Sequence, residues 1–158
     1  MPPDQASLAR KNLDKRLARL RDEPLPMPRN GWVKAIREAL GLTAEQLASR
    51  MGVVQSRLST IEKAEVTGST TIKTLREAAE AMDCVFVYAI VPRTSLSDIV
   101  RTQAEARADA ELRRLYHTMR LENQALQGSD LKDARERLVQ SFLNGPLRRL
   151  WDEPAGGA

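Results

Sequence analysis

The chain has 158 residues, a formal net charge of +4 and 42% hydrophobic residues, of which few are aromatic. This length allows one ordinary domain or a small domain with extensions, and the scarcity of aromatic residues favours helices over strands. The single cysteine, Cys84, excludes an internal disulfide and suits a reducing cytoplasm. The longest apolar run, residues 85–91, is too short to span a bilayer as a helix, and the first residues do not read as a secretion signal. We therefore expect a cytoplasmic protein that does not bind a membrane.

The first predicted element is a basic amphipathic helix over residues 7–23. A linker follows, because Pro24, Pro26 and Pro28 each remove a backbone donor and disfavour helix at the preceding residue. Residues 1–30 hold 7 basic residues against 4 acidic ones, whereas residues 31–92 hold 7 of each. Most of the excess positive charge therefore lies in this N-terminal arm.

Four short helices are predicted next, at about residues 32–40, 44–51, 55–64 and 71–82, from apolar residues at helical spacing. Gly41 and Gly52 end the first two of them, and Thr43 with Gln46 predicts a capping box. The apolar residues predicted to face the core are Trp32, Val33, Ile36, Ala39, Leu40, Leu47, Ala48, Met51, Leu58, Ile61, Ile72, Leu75, Ala78, Ala79 and Met82.

Residues 85–91 change in character, since they are mostly β-branched or aromatic and Pro92 closes the run. They predict one short strand. A lone strand leaves an unpaired edge, and the simplest solution is pairing with the same strand of a second subunit. This pairing is a hypothesis for a homodimer.

The rest of the chain predicts a helix from Ser95 to about Leu126 and a last helix from residue 129 or 130 to about Leu143. An apolar cluster is then predicted at Leu147, Leu150 and Trp151. The sequence thus indicates a mainly α protein in four segments. They are a basic arm and Pro-rich linker (1–30), a helical domain with a terminal strand (31–92), a C-terminal helical region (93–151) and a flexible tail (152–158).

Residues 42–62 have the spacing of two short helices joined by a tight turn. Ala48 must be small because the second helix packs across it, and Gly52 permits a left-handed backbone at the turn. Leu58 and Ile61 anchor the second helix in the core, which leaves its first turn facing outward. A helix of this size fits the major groove of DNA. The pattern predicts a helix-turn-helix domain that binds double-stranded DNA.

Candidate DNA contacts fall into two groups. The base-reading candidates are Gln55, Ser56, Arg57 and Ser59. The phosphate-binding candidates are Thr43, Gln46, Arg50, Thr60 and Lys63. Gln55 leads the first group because its amide can bond adenine at two positions; the alternative is an exposed helix-start residue. Ser56 could instead cap the helix, and Arg57 could pair with Glu62 or Glu65.

Two other features have open interpretations. Glu62 reads as structural, closing the helix end or pairing with Arg50 or Arg37. The basic residues within 10–21 could lie along the DNA backbone, form a solvated helix face or bind a partner.

No pattern for catalysis, metal binding or a cofactor occurs in the sequence. It has no glycine-rich phosphate loop, no paired-cysteine zinc spacing and no histidine cluster. His117, the single histidine, is interpreted as a surface or packing residue, and Cys84 as a small core residue. We therefore expect no enzyme activity, no catalytic residue, no metal and no cofactor.

Residues 42–48, with Gly52 and Val53, and residues 58–62 resemble the bacterial phage-repressor-like regulators of the Cro/repressor type. The resemblance implies a lambda-repressor-like fold and a sequence-specific transcriptional regulator that reads the major groove with helix 55–64, and we expect an autorepressor. Two positions depart from the family. Val54 stands where many relatives carry a serine or threonine cap, and Ala44 stands where a polar phosphate contact is common.

A narrower resemblance, to the mobile mystery protein A family, rests on residues 31–41, 74–84, 87–92 and 117–124. That family is typically encoded beside a partner with a Fic domain. The resemblance implies an alternative function, an antitoxin-like protein whose C-terminal helices, within 93–151, bind and neutralise a Fic-domain partner. The chain has no Fic-type histidine motif, so it would be the partner of that activity.

Overall fold

The computed structural model describes residues 3–121 and 128–152, which contain helices and their connections. The helices in those residues are α1 (Pro3–Asp22), α2 (Trp32–Ala39), α3 (Ala44–Met51), α4 (Gln55–Thr67), α5 (Ile72–Ala81), α6 (Leu96–Leu121), α7 (Gly128–Asn144) and a 3-10 helix (Leu147–Leu150). Within this part of the chain, no helix is both long enough and apolar enough to cross a membrane. The predicted continuation of α6 to about residue 126 and nearly all of the predicted tail lie outside the described residues.

The chain divides into two compact units. Residues 24–90 form one, and the described residues before 24 and after 90 form the other. Helix α1 therefore belongs to the same unit as the C-terminal helices, an association that the order of elements along the sequence does not indicate.

The 24–90 unit packs helices α2 to α5 around one apolar core. The buried core residues are Val33, Leu47, Ala48, Leu58, Ala78 and Met82. The predicted helices agree with the structure to within a residue or so, except that α4 continues to Thr67. It does so because Gly68, with φ of 74°, supplies the left-handed residue that ends the helix.

Four residues predicted to face this core are exposed instead. They are Trp32, Ala39, Leu40 and Ile72. Each lies at the first or last position of α2 or α5, or just after it. At the ends of a short helix, the apolar face extends beyond the helices that pack on it. A residue can therefore have the correct helical spacing and still be exposed.

The strand predicted at residues 85–91 does not form within the single chain. A strand is defined by hydrogen bonds to a neighbouring strand, and the backbone of residues 85–92 makes no hydrogen bond to another described residue. Burial nevertheless alternates at the start of this segment. Cys84 and Phe86 are half-buried, whereas Val85 and Val87 are 87% and 80% exposed.

The second unit combines α1, α6, α7 and the 3-10 helix. Its buried core residues are Val100, Ala104, Ala108, Val139 and Leu150. Two of them are alanines one helical turn apart on α6, and small side chains allow neighbouring helices to approach closely. Two of the three residues of the predicted C-terminal apolar cluster join this core, because Leu150 is fully buried and Leu147 packs against it, whereas Trp151 is 54% exposed.

Helix α1 caps the N-terminus of α6. The Asp14 carboxylate accepts hydrogen bonds from the Leu96 amide at 2.6 Å and from the Ser97 amide at 3.2 Å. These amides begin a helix and have no acceptor within it. Partial desolvation tends to raise the pKa of Asp14, but the hydrogen bonds outweigh that effect and hold the pKa below its ordinary value.

A bidentate ion pair joins α7 to α6. Arg135 donates from Nε to Asp109 Oδ1 at 2.6 Å and from a terminal nitrogen to Oδ2 at 3.2 Å. These hydrogen bonds from Arg135 outweigh desolvation and hold the pKa of Asp109 below its ordinary value of 3.8. The carboxylate form of Asp109 is therefore favoured by folding.

This ion pair predicts an acid-sensitive contribution to stability. A carboxyl group whose pKa is lower in the folded state stabilises the fold above its unfolded pKa, and loses that contribution as pH falls through the folded pKa. Asp109→Asn should therefore destabilise the second unit at neutral pH, and the difference from wild type should shrink below about pH 4. Urea unfolding followed by Trp151 fluorescence in a Trp32→Phe background measures it. Asp133→Asn, at an exposed α7 carboxylate, is the control. Equal pH dependence for both variants would contradict the prediction.

Candidate nucleic-acid interface

The N-terminus of α3 has the predicted capping box. The Thr43 hydroxyl accepts a hydrogen bond from the Gln46 amide at 3.1 Å, and the Gln46 side-chain oxygen accepts one from the Thr43 amide at 2.8 Å. Both ends of this reciprocal pair are exposed. The box fixes where α3 begins and leaves the Gln46 side-chain NH2 free to donate outward.

The turn after α3 also has the predicted geometry. Gly52 is left-handed, with φ of 69°. The Val53 amide donates to the Ala48 carbonyl at 2.9 Å, which turns the chain sharply towards α4. Ala48 is 1% exposed, and α4 packs on α3 beside it. A larger side chain at this position would separate the two helices.

The burial pattern of α4 leaves its first turn open to solvent. Leu58 and Ile61 are buried in the unit, at 0% and 3% exposure. Gln55, Ser56 and Arg57 are exposed, and their side chains hydrogen-bond to no other residue in the described part of the chain. Three of the four base-reading candidates therefore lie together, while Ser59 is only half-exposed.

The phosphate-binding candidates are all exposed, but they are not equivalent. Thr43 and Gln46 lie together at the start of α3. Arg50 donates to the Ala81 carbonyl at the end of α5, at 3.3 Å. Thr60 donates its hydroxyl to the Ser56 carbonyl at 3.0 Å, and Lys63 projects from the middle of α4.

A buried ion pair fixes α4 against α2. Arg37 donates from Nε to Glu62 Oε1 at 2.7 Å and from a terminal nitrogen to Oε2 at 3.2 Å. Its other terminal nitrogen donates to the Leu42 carbonyl at 3.1 Å, just before α3. The hydrogen bonds that Arg37 donates to Glu62 hold the pKa of Arg37 above its ordinary value. Of the partners considered for Glu62, Arg37 is the observed one, and Arg57 pairs with no acidic residue among those described.

Sequence reasoning missed the role of Glu65. Its carboxylate accepts hydrogen bonds from the Trp32 and Val33 amides, both at 3.0 Å, and so caps α2 from the last turns of α4. Gly31 precedes that helix with φ of 83°, and a Cβ there would lie 2.6 Å from Glu65 Oε2. The available signal was that Gly31, at the N-cap position of α2, has no side chain that could cap the helix.

This arrangement matches a known family. Residues 33–86 match the helix-turn-helix family model. This segment is a helix-turn-helix domain. The match confirms the predicted fold class and supports a DNA-binding regulator in general, while α1, α6 and α7 lie outside it. No curated protein and no solved structure matches the chain.

The helix-turn-helix domain lacks one common stabilising feature. Val54 is the N-cap of α4, makes no side-chain capping bond and is 69% exposed. Serine at an N-cap accepts a hydrogen bond from the first turn of the helix. Val54→Ser should therefore raise the free energy of unfolding by about 0.5–1 kcal/mol, measured by urea titration. Val66→Ser, at an exposed valine near the other end of α4, should give no gain. An equal change in both variants would argue against a capping effect.

Proposed function

We propose that this protein is a sequence-specific transcriptional regulator that reads the major groove with α4, acts as a homodimer and represses its own promoter. The observation that supports it most directly is the exposed first turn of α4, where Gln55, Ser56 and Arg57 are open to solvent. A buried ion pair and a well-packed turn hold that helix in place. Exposed polar side chains on a rigid helix are what direct base reading requires.

The two helices of the motif would make different contacts with DNA, α3 with phosphates and α4 with bases. Phosphate contacts set the register of a protein on DNA but carry no sequence information. Thr43 and Gln46, at the start of α3, suit that role because a helix N-terminus attracts anions. Gln55 and Arg57 suit base reading, since a glutamine amide pairs with adenine and an arginine guanidinium pairs with guanine.

Two copies would read a two-fold-symmetric operator. One chain contributes one recognition helix, which contacts only a few base pairs. In a homodimer, two such helices enter successive major grooves about 34 Å apart. This predicts a palindromic operator with half-sites one helical turn apart.

A gel-shift titration tests the proposal. The probe is the DNA immediately upstream of the protein's own gene, the competitor is a scrambled sequence, and the assay is run at two salt concentrations. We expect nanomolar binding that survives competitor and weakens as salt rises. Weak binding that is equal on both DNAs would contradict the proposal, and strong binding only at another genomic site would contradict autorepression alone.

A second candidate is the antitoxin-like function. The C-terminal helices form a unit with their own buried core, so a separate binding task is physically reasonable. Deleting the chain after Pro92 would be a poor test of this function, because α1 would lose the helices that it packs on. A better test uses the full chain with Gln55→Ala and Arg57→Ala. It should lose DNA binding but still bind and neutralise the Fic-domain partner, and loss of both together would contradict a division of tasks.

A further inference from the structure

Residues 84–92 expose more apolar surface than a helix-turn-helix domain requires. Val85, Val87 and Ile90 are each at least 80% exposed, and Tyr88 is 63% exposed. None of the nine residues is charged, and the backbone of residues 85–92 makes no hydrogen bond to another described residue. An exposed apolar stretch with free backbone groups is a template for pairing with another strand.

We propose that this segment pairs antiparallel with the same segment of a second copy, about a two-fold axis at Tyr88. This deepens the homodimer part of the proposed function by specifying the surface and its register. Tyr88 then faces Tyr88 of the second copy, Val85 faces Val91, and Phe86 faces Ile90.

Charge at the two ends of the segment selects this arrangement. Asp83 and Arg93 flank the uncharged stretch, and each lies five residues from Tyr88. In antiparallel pairing centred on Tyr88, Asp83 lies near Arg93 of the second copy at both ends of the ribbon. Parallel pairing in register would bring like charges together, which is unfavourable.

The backbone donors are compatible with the same register. In an antiparallel ribbon, alternate residues direct both backbone groups towards the partner strand. Pro92 has no amide hydrogen, and the Cys84 amide already donates to the Ala79 carbonyl at 2.9 Å. Both occupy even positions, so the odd residues Val85, Val87 and Ala89 would form the ladder with the partner. Tyr88 then belongs to a non-hydrogen-bonded pair, in which the facing side chains are closest.

An apolar groove beside the segment gives the second copy a place to pack. The groove has a volume of about 240 Å³, and its walls include Trp32, Ile36, Leu75 and Phe86. In the proposed register, Ile90 of the second copy lies opposite Phe86 and next to this groove. Pairing would therefore cover Ile90, which is 88% exposed in the single chain.

Disulfide cross-linking tests the register. Cys84→Ala removes the only native thiol, and Tyr88→Cys or Val85→Cys is added to the full chain. Non-hydrogen-bonded partners lie within disulfide reach, so we expect mild oxidation to convert most of the Tyr88→Cys variant into a covalent dimer. Val85→Cys is the matched control, because its copies would lie about 20 Å apart. It should remain a single chain on a non-reducing gel.

Charge exchange tests the flanking pairs. Arg93→Asp should weaken dimerisation about 2- to 30-fold, by analytical ultracentrifugation, because it affects both ends of the ribbon. Adding Asp83→Asn, which suits the left-handed φ of 57° at that position, should recover part of the loss by removing the like-charge pairs.

The outcomes separate this inference from DNA binding, since neither experiment contains DNA. A chain that stays monomeric at about 100 μM, or that cross-links through Val85→Cys as well as through Tyr88→Cys, would overturn the inference. If the gel shift then still shows specific binding, the proposed regulator stands with a different dimer. If Tyr88→Cys cross-links as expected but the protein shows no specific DNA binding, the proposed interface stands and the proposed regulatory function is contradicted.

Discussion

Glu62→Ala is expected to lower the free energy of unfolding of the helix-turn-helix unit by about 3–5 kcal/mol. The variant removes the carboxylate that accepts two hydrogen bonds from Arg37, whose side chain is only about 10% exposed. The Glu38 carboxylate stays 3.9 Å away, but it is largely exposed and makes no hydrogen bond to Arg37. A buried charge without its partner costs several kcal/mol, because desolvation is no longer offset by the ion pair. Urea unfolding measures the effect, with Trp32 as the fluorescent reporter in a Trp151→Phe background.

Two further variants show whether the effect comes from the buried charge. Glu77→Ala removes a largely exposed glutamate that faces Lys73 at 3.9 Å, and exposed pairs of this kind contribute under about 1 kcal/mol. Arg37→Met combined with Glu62→Leu removes both charges and should recover much of the lost stability, less the hydrogen bond from Arg37 to the Leu42 carbonyl. If Glu62→Ala cost no more than Glu77→Ala, the ion pair would not be a major support of the unit.

Contacts between residues close in sequence could be predicted, and they define the recognition motif. The capping box links Thr43 and Gln46 across three positions, and the left-handed turn needs only Gly52. The outward face of α4 followed from the spacing of Leu58 and Ile61, because side-chain direction on a helix depends on position alone. For that reason the structure exposes the first turn of α4 as predicted.

Contacts between distant residues could not be predicted in the same way. Glu65 caps α2 from more than 30 positions away, and Asp14 caps α6 from more than 80. Nothing in helical periodicity identifies which acidic residue will meet a given helix end. The strand predicted at residues 85–91 is absent from the single chain for a related reason. Its composition favours a pleated surface, but a strand exists only when a second strand pairs with it.

Gln55→Ala should weaken binding to the operator by about 1–3 kcal/mol, or about 5- to 150-fold, and relax the preference at one base pair. The exposed Gln55 amide can donate to adenine N7 and accept from the adenine N6 amino group. Alanine removes both bonds, while the fold should be unaffected because the side chain contacts solvent. Fluorescence anisotropy on a site selected from random DNA measures the loss. Gln140→Ala, at an exposed glutamine of α7 outside the domain, should bind as wild type does.

A base analogue assigns the contact to Gln55 itself. Replacing the contacted adenine by 7-deazaadenine removes the N7 acceptor, which should weaken wild-type binding but have little further effect on Gln55→Ala. Lys63→Ala should behave differently. Loss of a phosphate contact should weaken binding to cognate and scrambled DNA alike and reduce the salt dependence by about one counterion. If the adenine analogue weakened wild type and Gln55→Ala by equal factors, another side chain would read that base and Arg57 would be the next candidate. Non-additive losses would instead support a contact between the Gln55 amide and that adenine, because groups that do not interact give additive losses.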